Sequence, residues 1–265
     1  MQVVIPMSGQ GSRFRAAGYT QPKPLIVVDE APIIEHVVRM FPGADKVVFI
    51  CSEEHLETTP MRKVLQRISP KAQIVGIKPH KLGPVYAVLC AADAIDDHKP
   101  TIVSYCDYYA GWDFEAFKQQ MKRDSVDGCV PCYRGFHPHL LYPNLYAGCR
   151  TDSELNLLEI REKHSFTADK METWQSSGVY YMKSGAMIKK YFQRLMDRKI
   201  SCKDEYYVSL VYNLLIEDGL KTTVYPQEYF CQWGTAEDLE MYQEWSNYFA
   251  GLVGQAFTRP EGQKV

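Results

Sequence analysis

Short apolar runs alternate with longer amphipathic stretches through the first hundred residues. The runs at 2–6, 46–51, 73–77 and 101–105 are rich in β-branched side chains, which predicts strands. Between them, apolar positions recur at helical spacing over 32–40, 54–68 and 84–93, with Pro32 and Pro84 suited to a first helical turn. The order β-α-β-α-β-α-β, with strands that carry few polar residues, predicts a parallel sheet covered by helices on both faces. Farther along the alternation loosens. Strands are expected over 128–134, 155–161, 177–182 and 222–225, and helices over 114–123, 185–197, 205–218 and 236–248. The fold class is therefore α/β: a Rossmann-like mixed, mainly parallel sheet flanked by helices, in a single domain with an inserted part. That domain is expected over residues 1–250, with a C-terminal tail over 251–265 that turns polar after Phe257.

Composition narrows the classes. The chain has 265 residues with 46% apolar and 23% charged positions, and 18 Tyr, 11 Phe and 4 Trp supply enough surface to bury. A net charge of −2 argues against nucleic acid as the main partner, since phosphate-backbone binders carry a basic excess. The N-terminus has no basic region followed by a long apolar core, and no run approaches membrane-spanning length, so neither signal peptide nor membrane partner is expected. Eight irregularly spaced cysteines, several inside apolar runs (Cys51, Cys90, Cys106), read as reduced, and the expected compartment is the cytoplasm.

The most informative stretch follows the first strand: Ile5-Pro6-Met7-Ser8-Gly9-Gln10-Gly11-Ser12-Arg13-Phe14, continuing to Gln21-Pro22-Lys23-Pro24. Gly9 and Gly11 let the backbone approach a bound group and leave N–H donors free. The charged side chains before Asp29 are Arg13, Arg15 and Lys23, all basic. A glycine-rich, basic loop at the carboxyl end of a strand suits a polyphosphate. The P-loop pattern is absent, and Phe14 stands where the dinucleotide fingerprint needs its third glycine. Pro22 and Pro24 bias Lys23 toward an extended path that fixes its ammonium.

This pattern, G-x-G-S-R-F followed by K-P, resembles the nucleotidyltransferases that activate sugar phosphates and related phosphomonoesters, specifically the branch of bacterial capsule and surface-polysaccharide pathways. The resemblance runs to about Trp245. It implies a GT-A-type sheet, a nucleoside triphosphate (CTP or UTP favoured), a phosphorylated acceptor, release of pyrophosphate, and Mg²⁺. It also implies that Met7, Ser8, Gly9, Gln10, Gly11 and Ser12 wrap the triphosphate, while Arg13 and Lys23 neutralise charge at the reacting phosphates. The acceptor is a sugar 1-phosphate or a non-sugar phosphate such as phosphocholine or phosphoglutamine.

Asp107 follows the apolar strand at 101–105, where open α/β sheets collect ligands, and matches the family's metal-binding aspartate. The family's second metal-binding aspartate is replaced: Phe230-Cys231-Gln232-Trp233-Gly234-Thr235 has Gln232 in its place, so either Asp107 holds the metal with phosphates and water, or another acid such as Glu205 contributes. The same stretch reads as the start of the last helix, with Thr235 as N-cap. Glu162-Lys163 resembles the motif whose lysine binds the acceptor phosphate, with His164 in place of a proline. Gly178 resembles the glycine of the strand beside the acceptor, and Gly83 that of the segment beside the nucleobase. Either glycine also fits an ordinary bulge or strand-to-helix turn. Cys129 and Cys132 have the spacing of half a zinc site without a second half, and His137 and His139 lie in a loop that favours acceptor or solvent over metal. Tyr105, Tyr108, Tyr109 and Trp112 line a pocket or fill the core.

The expected reaction is in-line nucleotidyl transfer. The alternatives are a GT-A-type glycosyltransferase, although the Asp-x-Asp motif is absent at Asp107, and a catalytically weak nucleotide- or sugar-phosphate-binding homologue. Homo-oligomer formation is left open.

Overall fold

Alternation along the first strand, Gln2–Met7, sets the architecture. Val3 and Ile5 face one side of the sheet and Val4 the other, and all three are fully buried. A strand buried on both faces needs helices on both faces. The computed structural model describes residues 1–142 and 145–254, and it supplies them. Helices Ile33–Arg39, Met61–Ile68 and Phe114–Arg123 cover the Ile5 side, and Pro84–Cys90, Gly185–Asp197 and Val208–Glu217 cover the Val4 side.

Gln2–Met7 pairs in parallel with Lys46–Ser52 and Thr101–Ser104, and Lys46–Ser52 with Gln73–Ile77. The second half joins through Val179–Met182, antiparallel to both Thr101–Ser104 and Gly128–Tyr133. Antiparallel strands Trp174–Ser176, Gly148–Thr151 and Leu157–Arg161 extend that edge, while Thr222–Pro226 pairs in parallel with Gly128–Tyr133. The result is one ten-stranded mixed sheet, the α/β class expected. Among the described residues no helix is long and apolar enough to cross a membrane.

Five expected elements change shape. The helix expected over 54–68 is two, Glu53–Thr58 and Met61–Ile68, because Thr59 precedes Pro60 and is pushed to an extended conformation (φ −132°, ψ 166°). The strand expected over 177–182 begins only at Val179, because Gly178 (φ +96°) separates it from a strand the sequence did not suggest, Trp174–Ser176. Leu155, at φ +63°, delays the next expected strand to Leu157. The helix expected from Glu205 begins at Val208, since Cys202 and Glu205 close a tight turn. The last helix, Ala236–Gly254, runs beyond the expected Tyr248. Of the expected tail, residues 255–265 lie outside the described residues, including everything after Phe257.

Candidate active site

The glycine loop leaves the sheet after Met7 and turns into a short helix, Ser12–Ala16, that the apolar pattern did not predict because it spans little more than one turn. Gly11 opens it at φ +60°, a left-handed conformation that a side chain disfavours. Phe14 is its anchor, buried in the core and edge-on to Tyr19 at 5.2 Å. With Phe14 inward, Arg13 and Arg15 stay exposed. Arg15 Nη2 donates to the Gln10 carbonyl at 2.8 Å and braces the loop from outside. Arg13 forms no salt bridge among the described residues.

Lys23 reaches back toward the sheet. Its Nζ lies 4.9 Å from the centre of the Phe14 ring and donates to Asp107 Oδ2 at 2.7 Å and to the Gly234 carbonyl at 2.6 Å. One ammonium thus ties the first loop, the end of the central strand and the turn before the last helix. Asp107 is further fixed through its backbone carbonyl, which accepts from Trp233 N–H at 3.1 Å.

Two cavities meet at this point. A cleft of about 630 Å³ is lined by the loop from Met7 to Ser12, with Lys23, His80, Lys81, Gly83 and Glu205. A smaller cavity of about 210 Å³ is lined by Arg13, Glu162, Lys163, Gly178 and several tyrosines. Tyr105 and Asp107 belong to both. The triphosphate candidates Met7 to Ser12, Lys23 and Gly83 line the first compartment, and the acceptor candidates Glu162, Lys163 and Gly178 line the second. Arg13 is the exception in kind: it belongs to the triphosphate loop yet faces the smaller cavity.

Local chemistry explains several residue choices. Lys163 sits at φ +55°, with its N–H donating to the Tyr146 carbonyl at 2.9 Å and its Nζ 5.9 Å from the centre of the Tyr207 ring. Burial raises the pKa of the neighbouring Glu162 carboxyl, although Ser209 Oγ donates to its Oε1 and Lys163 lies nearby. At Gly178 a Cβ would meet the Tyr105 and Tyr108 rings at 3.2 and 3.3 Å. At Gly83 (φ +85°) a Cβ would lie 2.8 Å from Tyr206 N and 2.9 Å from its carbonyl oxygen, so close backbone approach from the 205–206 segment itself requires glycine there.

The missing second aspartate has a neighbour the sequence reading passed over. Gln232 Nε2 donates to Asp238 Oδ2, which also accepts from Thr235 Oγ1 at 2.6 Å. Thr235 Oγ1 in turn accepts from Asp238 N–H at 3.2 Å, the expected N-cap. Gln232 Oε1 is buried with no hydrogen-bond partner among the described residues, and Gln232 lines the small cavity beside Asp107. Mg²⁺ is held by one or two carboxylates together with substrate phosphates and water. Asp107, with the orphaned amide oxygen of Gln232 alongside, fits such an ion.

His80 is a second residue absent from the sequence reading. Its Nδ1 accepts from Leu82 N–H at 3.2 Å, which leaves the proton of the neutral ring on Nε2, 3.2 Å from Ser8 Oγ. Burial lowers its pKa, against the opposing pull of Glu205.

Other candidates serve packing. Cys129 and Cys132 face opposite sides of the sheet, in separate core clusters, and Cys132 Sγ lies 3.6 Å from Cys149 Sγ. His137 and His139 pack on Tyr133, whose hydroxyl is 2.8 Å from His139 Nε2. Burial and the nearby His137 push the His139 pKa down to about 3. A depressed folded-state pKa means that this ring's contribution is intact above about pH 6.5 and is lost as pH falls toward about 3. We expect His139→Phe to flatten the acid limb of stability by at most about 1.4 kcal/mol per pH unit, measured by urea unfolding at pH 7, 6, 5 and 4. Parallel limbs in the two proteins would show that His139 is charged in the fold.

With this geometry in place, comparison with known proteins is informative. The model of the MobA-like NTP transferase domain matches residues 3–172. No curated protein matches the chain in sequence. Among solved structures, the nucleoside-diphosphate-sugar pyrophosphorylase from Vibrio cholerae RC9 superposes with a TM-score of 0.73 at 19% identity, over 91% of this chain and 99% of that one. The inositol-1-phosphate CTP transferase from T. maritima gives 0.71 at 17% identity, over 94% and 96%. At such identities the likeness is one of fold.

Proposed function

The chain belongs to the MobA-like NTP transferase domain family, and from that premise we propose that it transfers a nucleoside monophosphate from a triphosphate to a phosphomonoester, releasing pyrophosphate. The observation that carries this reading is the junction of two compartments at Tyr105 and Asp107, one walled by a glycine-rich basic loop and the other by Lys163 and Arg13. A two-anion condensation needs that layout.

In the proposed step an acceptor phosphate oxygen attacks the α-phosphorus, and the bond from that phosphorus to the pyrophosphate oxygen breaks on the opposite side. The phosphate dianion is already nucleophilic, so the protein supplies position and charge. Loop N–H groups from Ser8 to Ser12 and Lys23 bind the triphosphate. Lys163 orients the acceptor oxygen, and Arg13 stands where charge develops between the two anions. Asp107 and Gln232 would hold Mg²⁺, which when bound screens the phosphate oxygens and stabilises the leaving group. Glu162 and Gly178 shape the acceptor cavity, and Gly83 the nucleobase side. CTP or UTP as donor and use of the product in surface polysaccharide rest on the opening motif's resemblance to that branch, and a cytoplasmic location on the reading of the cysteines as reduced.

A pyrophosphate-release screen of four triphosphates against a panel of sugar 1-phosphates and non-sugar phosphomonoesters tests the reading. Release should require both substrates. Sugar transfer from a sugar nucleotide, or no turnover with any pair, would favour the glycosyltransferase or the catalytically weak homologue. We further expect Lys163→Met to raise the acceptor KM by about 10–10² while changing the triphosphate KM little, the loss of one charge-assisted contact. Equal effects on both substrates would remove Lys163 from the acceptor side.

A further inference from the structure

Glu205 is a carboxylate in a cleft otherwise suited to polyphosphate. Unlike Asp107, which is matched by Lys23, it forms no salt bridge among the described residues. Its carboxylate instead sits beside the Tyr207 phenol, where burial and this carboxylate together raise that hydroxyl's pKa. An anion there opposes phosphate binding, so its presence calls for a ligand group that donates hydrogen bonds.

The surrounding backbone is built to hold it. Cys202 and Glu205 exchange both backbone hydrogen bonds, at 2.9 and 3.1 Å, across Lys203 and Asp204, which sit at φ +53° and +63°. Two successive left-handed residues without glycine make an expensive turn. The chain is then stitched to the wall of the cleft. Tyr206 N–H donates to the Leu82 carbonyl at 2.9 Å, and Val85 N–H to the Tyr206 carbonyl at 3.1 Å. This places Glu205 directly against Gly83, where an added Cβ would lie 3.2 Å from Glu205 Cβ. The triphosphate loop and Gly83 bound the same cleft, and the ribose of a nucleotide lies between its phosphates and its base.

We propose that Glu205, positioned by Tyr207, accepts hydrogen bonds from the ribose hydroxyls and makes the protein select ribonucleoside over 2′-deoxyribonucleoside triphosphates. This rests on the nucleotidyltransferase reading. A carboxylate accepts from adjacent 2′- and 3′-hydroxyls and loses one partner when the 2′-hydroxyl is missing. Glu205 and Tyr207 are half-buried, so the preference is set by one charge-assisted hydrogen bond at a partly wet site, about 10–10²-fold. Tyr207 also lines the acceptor cavity, under the Lys163 ammonium, so the ribose reader is braced from the acceptor side.

The test is titration calorimetry with Mg²⁺ and the four ribonucleoside triphosphates against their 2′-deoxy counterparts, on the wild type and on Glu205→Ala, Glu205→Gln and Tyr207→Phe. The wild type should bind the ribo form about 10–10²-fold tighter. The ratio should fall to near one in Glu205→Ala, recover in part in Glu205→Gln, which keeps an acceptor oxygen, and shrink in Tyr207→Phe, with melting curves confirming the fold of each. Nucleotide binding without sugar preference, or a preference that survives Glu205→Ala, would overturn this proposal alone. So would equal weakening of both sugars with a raised Mg²⁺ requirement, which would make Glu205 a metal ligand. No binding of any nucleotide, together with no pyrophosphate release, would remove the parent reading and this one with it.

Discussion

Arg13→Ala is expected to lower turnover by about 10²–10³ and leave folding intact, the cost of removing one donor from a site of developing charge. The structural case lies in what Arg13 does not do. It is exposed and unpaired in salt bridges among the described residues, while Phe14 anchors the helix and Arg15 braces the loop. Its removal therefore leaves the loop's own supports in place. Yet it lines the smaller cavity rather than the cleft lined by the rest of the loop. A guanidinium at the boundary can touch an α-phosphate from one compartment and an acceptor oxygen from the other, with planar donors suited to both. Arg13→Lys should recover only part of the loss. Steady-state pyrophosphate release beside a thermal melt provides the measurement. A folded Arg13→Ala protein with near-normal kcat would show that the charge is neutralised elsewhere.

Arg13 could be picked out from sequence because its neighbourhood is local: glycines, basic side chains and prolines within two dozen residues of one strand. The first half of the sheet was legible for a similar reason. Parallel strands buried on both faces are apolar throughout, and Val3, Val4 and Ile5 announce themselves. The antiparallel half was harder to read. Gly148–Thr151 has four residues and begins with a glycine whose added Cβ would lie 2.2 Å from the His164 carbonyl oxygen, so a crowding of backbones, not a hydrophobic pattern, defines that strand. His80 was invisible as a site element, and Glu205 was visible only as a spare acid and not as part of a turn stitched to the cleft wall, because their partners lie far along the chain. Ser8 is 72 residues from His80, and Leu82 meets Tyr206 only after the sheet has assembled. Gly83 shows the same limit from the other side. Its position in the cleft followed from the family motif, while the reason for glycine there, the backbone of Tyr206, required the fold. The pairing of Lys23 with Asp107, 84 residues apart, is likewise a product of the fold.

That pairing supports the second large prediction. Asp107→Asn should reduce turnover by about 10²–10³ while changing stability by no more than about 1 kcal/mol, since the ion pair is partly exposed, with 14% of the Lys23 and 31% of the Asp107 side chain accessible. The backbone contact from Trp233 N–H to the Asp107 carbonyl does not depend on the side chain and should persist. Lys23 keeps its bond to the Gly234 carbonyl, so the loop should stay docked. What is lost is the charge at the only carboxylate among the described residues that lines both compartments, and with it the restraint on the Lys23 ammonium. If Lys23 and Asp107 act as one unit, Lys23→Met combined with Asp107→Asn should cost little more than Asp107→Asn alone, whereas independent roles would multiply the two losses. The cycle is read from kcat/KM for the triphosphate, with urea unfolding of all four proteins to confirm the fold. Full multiplicativity would separate the two residues, and near-normal turnover in Asp107→Asn would take the carboxylate out of the reaction.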